Sequence, residues 1–426
     1  MNVVLINPPY DGVDDDELEE NLGLSYIAGF LLEHGIDTAI NEMTGKATLK
    51  EKLETLQIAD IYGISLYSTA INSAKIIINH IRETAPGSLI YLGGPHPSAL
   101  PQASLKELKV DGVVIGEGEY AFYNIVKAAN EGKPILGVLT DKSIPDLAKL
   151  PFPARSLVDR NRFTRRINGE RCISMLTSRG CPNNCLHCNS IIMGGKSHGI
   201  RFRPIDDIIK EIRLVKKMGY KNIRFNDDNF LANPQIHDLL IAIEKENISF
   251  RAFGHVGKFL EETCALMKKA GCQMLSTGIE SCNPQNLHFL RKQNTLKYLS
   301  NLAIAKAHGL SVRASFIVGL PYDTDESIER YFLEASHLPI DEYAVYALIP
   351  YPGTELYNNP QKHNYYITSY DFSAYKQMGK GGDSCYVLGY DDGTNAFAPD
   401  DVKRWHKRAN ELLGKSIKHM RDSPIK

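Results

Sequence analysis

Over roughly the first 140 residues, short apolar, β-branched runs alternate with stretches of helical periodicity. The runs predict strands over residues 2–6, 37–41, 60–65, 89–92 and 112–115. The periodic stretches predict helices over 22–34, 47–56, 68–84 and 118–130. Alternation of this kind argues for βαβ units and a doubly wound parallel sheet. Strong breakers follow three of the strands: Asn7, Pro8 and Pro9; Gly93 and Gly94 with Pro95, His96 and Pro97; and Gly116 to Glu119. All fall at strand carboxyl ends, where open α/β sheets take their ligands. Glycines there let a flat ring or a nucleotide tail approach the backbone.

Pro134 through Pro153 carries several prolines and little periodicity, as an inter-domain connector does. From about Arg171 a second series begins, with strands expected over 172–177, 222–226, 249–255, 274–278, 311–318 and 342–349. Six βα repeats suit an incomplete TIM-like barrel with its site at the carboxyl mouth of the strands. Residues 358–426 are rich in Tyr and polar residues, then helical from about Pro399 to Met420. The expected division is 1–140, a linker over 141–168, a barrel over 169–357 and a small, mostly helical C-terminal region over 358–426.

Composition changes this picture little. The 426 residues are 43% hydrophobic and 23% charged with a net charge of −1, those of an ordinary globular protein. Such a balance gives no electrostatic case for nucleic acid or an anionic membrane. No apolar run approaches the ~20 residues that cross a bilayer, and the apolar residues 3–6 are too short for a signal peptide. A cytoplasmic location is expected, with Cys172, Cys264, Cys272, Cys282 and Cys385 as free thiols. The acidic run from Asp14 to Glu20 reads as a solvated loop and helix start.

The chemistry concentrates in one loop. Cys181, Cys185 and Cys188 have the spacing C-x3-C-x2-C, directly after the first barrel strand and so at the barrel mouth. A structural zinc site wants four ligands from two pairs, and no second pair lies nearby. Three thiolates on a tight loop instead hold three irons of a 4Fe-4S cube and leave the fourth open.

With this spacing the chain resembles the radical S-adenosylmethionine (SAM) superfamily, which usually has an aromatic residue just before the last cysteine. His187 stands there. The resemblance implies that SAM chelates the open iron through its amino and carboxylate groups. It places Asp227 and Asp228, after the second strand, where acceptors receive the SAM ammonium. Gly278, Glu280 and Ser281 fall where ribose or carboxylate contacts are made, and Gly319 lies in a stretch that packs against adenine. Arg201, Arg203 and Arg251 are candidates for a carboxylate of SAM or substrate, although ion pairing is the commoner role of an arginine.

The N-terminal domain is similar to the cobalamin-binding domain that precedes many radical SAM domains. The likeness runs through residues 5–9, 22–30, 63–68, 93–96 and 114–119, and puts Asn7, Ser65, Gly93, Gly94, Gly116 and Gly118 at the cobalamin. The D-x-H-x-x-G loop that supplies a histidine below the cobalt in other carriers does not follow Asn7. Tyr10, Asp11 and Gly12 stand there instead.

The resemblance implies an enzyme that cleaves SAM reductively to a 5'-deoxyadenosyl radical for cobalamin-dependent methylation of an unactivated carbon in a small molecule. An electron donor such as flavodoxin or ferredoxin is implied with it. The alternative is a radical dehydratase or rearrangement enzyme, of the aminoglycoside diol type, whose first domain holds no cobalamin. Residues 365–372 and the Gly-rich 378–382 are expected to form either a substrate lid over the barrel mouth or a plain structural cap. No residue is assigned as a catalytic acid or base.

Overall fold

The computed structural model describes residues 1–11, 15–140, 145–190, 192–193, 199–375 and 386–414. The chain divides into two compact units. One comprises Met1–Phe163, Asn189–His198 and Asp371–Gly382; the other comprises Thr164–Cys188, Gly199–Tyr370 and Asp383–Lys426.

The first unit is a six-stranded parallel sheet of β1 (Val3–Asn7), β2 (Thr38–Glu42), β3 (Ile61–Ser65), β4 (Leu89–Gly93), β5 (Gly112–Ile115) and β6 (Gly137–Thr140). Its order, β2-β1-β3-β4-β5-β6, is doubly wound with a switch point between β1 and β3. All five residues of β1 are buried, as expected of a central strand covered on both faces. Two clusters form, one against Ile71–Thr84 and the other against Leu22–Glu33 and Glu119–Asn130.

Three features depart from the expectation. The breaker at residues 93–97 runs into two short helices, Pro95–Ala99 and Pro101–Leu108, each with Pro at its start. Proline fits the first helical turn, where its missing N–H is not needed. A sixth strand, β6, pairs with β5 in the stretch that reads as an inter-domain connector. The segment toward Phe163 packs on the Leu22–Glu33 helix: Ala154 donates to the Ser25 carbonyl at 2.8 Å, and a Cβ on Gly29 would stand 2.6 Å from the Phe152 oxygen. The acidic run is likewise no free loop, since Glu17 pairs with Arg162 at 3.1 Å and Glu20, 6% exposed, pairs with Arg155. Gly12 and Asp14 lie outside the described residues.

The second unit is built on β7 (Arg166–Ile167), β8 (Glu170–Met175), β11 (Asn222–Phe225), β12 (Ser249–Phe253), β13 (Cys272–Glu280), β14 (Ser311–Val318) and β15 (Glu342–Ala347), with the ribbon β9 (Ser178–Arg179) and β10 (Arg201–Phe202) beside it. Its order is β15-β14-β13-β12-β11-β8-β7, and the six strands from β8 to β15 are parallel. Ile223, Phe225, Phe250, Val312, Phe316 and Val345 point from one face of this sheet into a core shared with the helices. The opposite, inner face carries most of the polar positions. The tail, expected to be mostly helical, adds a three-stranded antiparallel sheet of β16 (Tyr365–Ile367), β17 (Leu388–Asp391) and β18 (Ala396–Phe397) before the helix Pro399–Leu412. Trp405 anchors that helix by donating to Asp325 Oδ1 at 2.6 Å. Cys385, residues 378–382 of the expected lid or cap and the stretch to Met420 beyond Gly414 lie outside the described residues.

Candidate active site

The cysteine loop leaves β8 through a neck closed by β9 and β10, which pair antiparallel with Arg201 opposite Arg179 and Phe202 opposite Ser178. Gly180 enters the loop with φ +91°, and a Cβ there would lie 2.5 Å from the Gly199 carbonyl oxygen. Only glycine permits both that φ and that approach. Arg203 secures the far side: it is 5% exposed, donates to the Leu176 carbonyl at 2.7 Å and pairs with Asp207 and buried Glu211. Its role is therefore a buried ion pair under the neck.

Asp227, 3% exposed at the end of β11, reaches across to the same corner. Its carboxylate accepts the Thr177 N–H at 3.1 Å, the Thr177 hydroxyl at 2.7 Å and the Ser178 hydroxyl at 2.5 Å. Burial raises its pKa, and the Ser178 and Thr177 hydrogen bonds oppose the rise. Asp228, next to it, is exposed and raises the Cys181 pKa by its charge. The expected pair thus divides into one carboxylate that braces the loop and one turned to solvent beside a cysteine.

The three thiols are electrostatic neighbours. Burial pushes the Cys185 thiol up to about 11; Lys292 pulls against that, while Cys188, Glu280 and Cys181 add to it. Burial also raises the Cys181 thiol. Among the described residues no three His, Cys, Asp or Glu groups converge tightly enough for a single ion. Neighbouring thiols on one short loop suit a cluster in which each thiolate takes a different iron. His187 between them keeps its Nδ1 buried without a hydrogen-bond partner among the described residues, and burial lowers its pKa.

A buried ion pair stands beside this loop. Glu280, 8% exposed, adopts φ +69°, where non-glycine residues are uncommon. The β13–β14 register breaks between Gly278 and Glu280, and the carboxylate folds back over Gly278. A Cβ on Gly278 would lie 2.0 Å from Glu280 Oε1, so glycine keeps the carboxylate's place open. Lys292 Nζ donates to Glu280 Oε1 at 2.9 Å and to the Gly278 carbonyl at 2.6 Å. Two residues before Lys292, the Leu290 carbonyl accepts the Leu186 N–H at 3.3 Å, which ties the pair to the cysteine loop. The Ser281 hydroxyl accepts the Asn283 N–H at 3.0 Å. Lys292 was not singled out from sequence; its only signal is a position twelve residues after Glu280.

Gly319, φ +90°, ends β14 in a turn organised by Asp323. The Asp323 carboxylate, 4% exposed, accepts the N–H groups of Gly319 and Leu320, both at 2.9 Å, and the Asn286 amide at 2.7 Å. Tyr365 donates to the Gly319 carbonyl at 2.9 Å.

In the first unit, the carboxyl edge of the sheet carries a linked polar network. Asn7 donates to Glu42 at 2.6 Å, and its Oδ1 accepts from Asn21 at 3.0 Å and from Tyr10 at 3.2 Å. Asn21 also donates to the Ser65 hydroxyl at 3.1 Å. Asn7 and Ser65 thereby shape the edge at the switch point. Gly94, φ +99°, brings its backbone against that of Leu66, where a Cβ would meet N and O at 3.1 Å. Gly93 faces open space, Gly116 has φ +85°, and a Cβ on Gly118 would strike Ile27 at 2.6 Å. His96 is buried, 2.9 Å from the Ser68 hydroxyl through Nδ1, and burial lowers its pKa to about 4.

Comparison with known proteins decides what this architecture belongs to. The radical SAM superfamily model matches residues 175–335, and the B12-binding domain model matches residues 16–126. The chain carries a radical SAM domain and a B12-binding domain. It is 29% identical over 394 residues to an uncharacterized methyltransferase of Pyrococcus horikoshii, covering 86% of this chain and 85% of that one. It is 26% identical over 354 residues to the bacteriochlorophyllide d C-12(1)-methyltransferase of Chlorobaculum tepidum, covering 80% and 74%. Its fold matches that of the radical SAM methyltransferase TsrM from Kitasatospora setae, solved with cobalamin and a [4Fe-4S] cluster, with a TM-score of 0.73 at 17% identity over 97% of this chain and 89% of that one.

A radical SAM enzyme uses a 4Fe-4S cluster and SAM, and a B12-binding domain takes cobalamin. The residues present suit these groups. The cysteine loop offers three adjacent thiols, and Glu280 and Asp228 stand as acceptors near it. The sheet edge of the B12-binding domain offers four partly accessible glycines, with Gly93 facing open space. No helix among the described residues is long and apolar enough to cross a membrane.

Proposed function

We propose that this radical SAM protein is a cobalamin-dependent methyltransferase that adds a methyl group to an unactivated carbon of a small molecule. When bound, the reduced cluster and SAM supply a 5'-deoxyadenosyl radical, and cobalamin supplies a transferable methyl group. The single observation that carries the reading is the union of the two domains in one chain that aligns over most of its length with methyltransferases.

The chain's own residues bind, orient and shield. Cys181, Cys185 and Cys188 hold the cluster on a loop fixed by Gly180, Asp227 and Arg203. Asp228 receives the ammonium of SAM, and Glu280, held by Lys292 with Ser281 beside it, receives its polar hydroxyls or ammonium. Gly319 and its turn offer backbone to the adenine. Gly93, Gly94, Gly116 and Gly118 let cobalamin approach the sheet edge, which Asn7 and Ser65 brace. No histidine stands in the loop after Asn7 to serve below the cobalt, and His96 is engaged by Ser68. Electrons come from a flavodoxin or ferredoxin. Dehydration or rearrangement without cobalamin is disfavoured by the B12-binding match.

The test is anaerobic reconstitution followed by absorption spectra and product analysis. The wild type is expected to bind cobalamin near one per chain and to form 5'-deoxyadenosine with SAM and reductant. Cys181→Ala, Cys185→Ala and Cys188→Ala are expected to lose iron and all SAM cleavage while still binding cobalamin. Retained cleavage in those variants, or no cobalamin on the wild type, would overturn the proposal.

A further inference from the structure

The inner face of the second unit's sheet carries a set of cations that the cluster and SAM assignments do not use. Arg224 on β11 and Arg251 on β12 are paired in register, so their side chains leave the same face side by side. Their neighbours in sequence, Ile223, Phe225, Phe250 and Ala252, enter the helix-side core, which fixes the arginines on the opposite face. Arg313 on β14 is flanked by Val312 and Ala314, both in that core, and so faces inward too.

Two of these groups, Arg224 and Arg313, meet at one phenol. Tyr346 on β15 is hydrogen-bonded by Arg313, and the charges of Glu280 and Arg224 act on it. Burial raises its pKa and the two arginines lower it, so it stays a neutral donor. Glu280 is the residue already placed beside the cysteine loop. Arg313 keeps its Nη2 buried and without a hydrogen-bond partner among the described residues. Glu342 stands opposite Arg313 in the strand register, yet does not occupy that nitrogen. Glu280, the other inward carboxylate, is neutralised by Lys292.

A buried guanidinium nitrogen without an acceptor costs free energy that a bound oxyanion would recover, and arginine's planar fork suits carboxylate or phosphate. We propose that the inner face binds the carboxylate or phosphate of an anionic substrate, with Arg313 as its direct partner, Tyr346 as a second donor and Arg251 and Arg224 supplying the surrounding positive field. This rests on the methyltransferase reading and gives the acceptor molecule its chemical class. Anchoring an anion there fixes one end of the molecule on a rigid strand, which is how binding energy is converted into orientation of the reacting carbon.

Inorganic phosphate and acetate serve as probes, titrated calorimetrically into the anaerobically reconstituted full chain without SAM, and SAM is titrated separately. The wild type is expected to bind at least one probe, Arg313→Gln to weaken it by about tenfold or more, and Arg313→Lys to recover part of the loss. SAM affinity and iron content should stay within about twofold in both variants. The proposal is overturned if the wild type binds neither probe, or if Arg313→Gln binds them equally. It is also overturned if SAM affinity falls with the probe, since the oxyanion recognised would then be the carboxylate of SAM. Should Arg313→Gln fail to fold, Arg313→Lys and Tyr346→Phe decide by the same comparison, each expected to weaken the probe severalfold. Because these readouts need no methyl transfer, failure to bind cobalamin would overturn the proposed function and leave the anion site standing.

Discussion

The two adjacent aspartates after β11 give the sharpest test of how the cysteine loop is held. Asp227→Ala removes the acceptor shared by the Thr177 N–H and the hydroxyls of Thr177 and Ser178. Each hydrogen bond to a charged acceptor contributes about 1.5–3 kcal/mol, but the three share one carboxylate and the hydroxyls can turn to other acceptors. Their joint loss should therefore cost about 3 kcal/mol. Burial of the charge works against part of that gain, which keeps the figure below the sum. For a unit of this size the expected fall in Tm is roughly 5–10 °C.

The effect should be local as well as global. About 3 kcal/mol is a shift of roughly a hundredfold in the opening equilibrium of the corner that leads into Gly180 and Cys181. Asp227→Ala is therefore expected to reconstitute with distinctly less iron per chain than the wild type. Asp228→Asn removes an exposed carboxylate instead; it should leave Tm and iron unchanged and weaken SAM by about tenfold. Iron content, thermal unfolding and calorimetric SAM affinity on both proteins make the assay. If Asp227→Ala keeps its iron and Tm while SAM affinity falls, the bracing role assigned here is wrong and Asp227 is a SAM ligand.

Other positions test the same construction. Gly180→Ala must place a Cβ 2.5 Å from a backbone oxygen at φ +91°, so about 2–4 kcal/mol of destabilisation and poor cluster loading are expected, read by denaturant unfolding and iron analysis. Gly278→Ala meets only side-chain ends, so the fold should survive while the displaced Glu280 weakens SAM about tenfold; unchanged SAM affinity by calorimetry would refute Glu280 as a SAM contact. Asp323 carries a pH dependence, because burial raises its pKa to about 7. That lies above the unfolded value of about 3.9, so the stability it contributes is fully present below about pH 4 and is lost as pH rises through about 7, up to about 4 kcal/mol. Urea unfolding at pH 5 and pH 8 should show that loss in the wild type and not in Asp323→Asn, and equal slopes would refute it.

Much of this was legible in the sequence for a physical reason: central parallel strands are buried on both faces, so β1 and β3 announce themselves as apolar runs whatever surrounds them. The cysteine spacing was legible because ligands on one short loop need no tertiary contact to be brought together. Residues 95–97 read as a breaker rather than a helix start because Pro and Gly mark a turn and a helix start equally well, and only the following contacts tell them apart. The tail's small sheet was hidden because β16 and β17 are short and separated by about twenty residues, so their pairing is a tertiary event. Asp227 and Asp228 look alike in sequence; one turns into the corner at Thr177 and the other to solvent.

The arginines show where chain-order reasoning stops and geometry takes over. Arg203 and Arg313 each sit among apolar residues, and nothing in their immediate sequence separates them. Arg203 precedes a helix that brings Asp207 and Glu211, four and eight residues on, against its guanidinium, so its charge is answered locally and its function is to hold the neck. Arg313 lies within a strand whose alternation sends it to the inner face; Glu342, opposite it in the register, leaves its Nη2 without an acceptor among the described residues, and Glu280 is withdrawn to Lys292. That withdrawal depends on the register break after Gly278 and on the positive φ of Glu280, neither of which alternation can foretell. One backbone irregularity thus places a carboxylate beside the cluster loop, in a sheet whose Arg313 keeps a guanidinium nitrogen without an acceptor among the described residues. The proposed anion selectivity of that face rests on this combination of a neutralised acid and a guanidinium nitrogen without an acceptor.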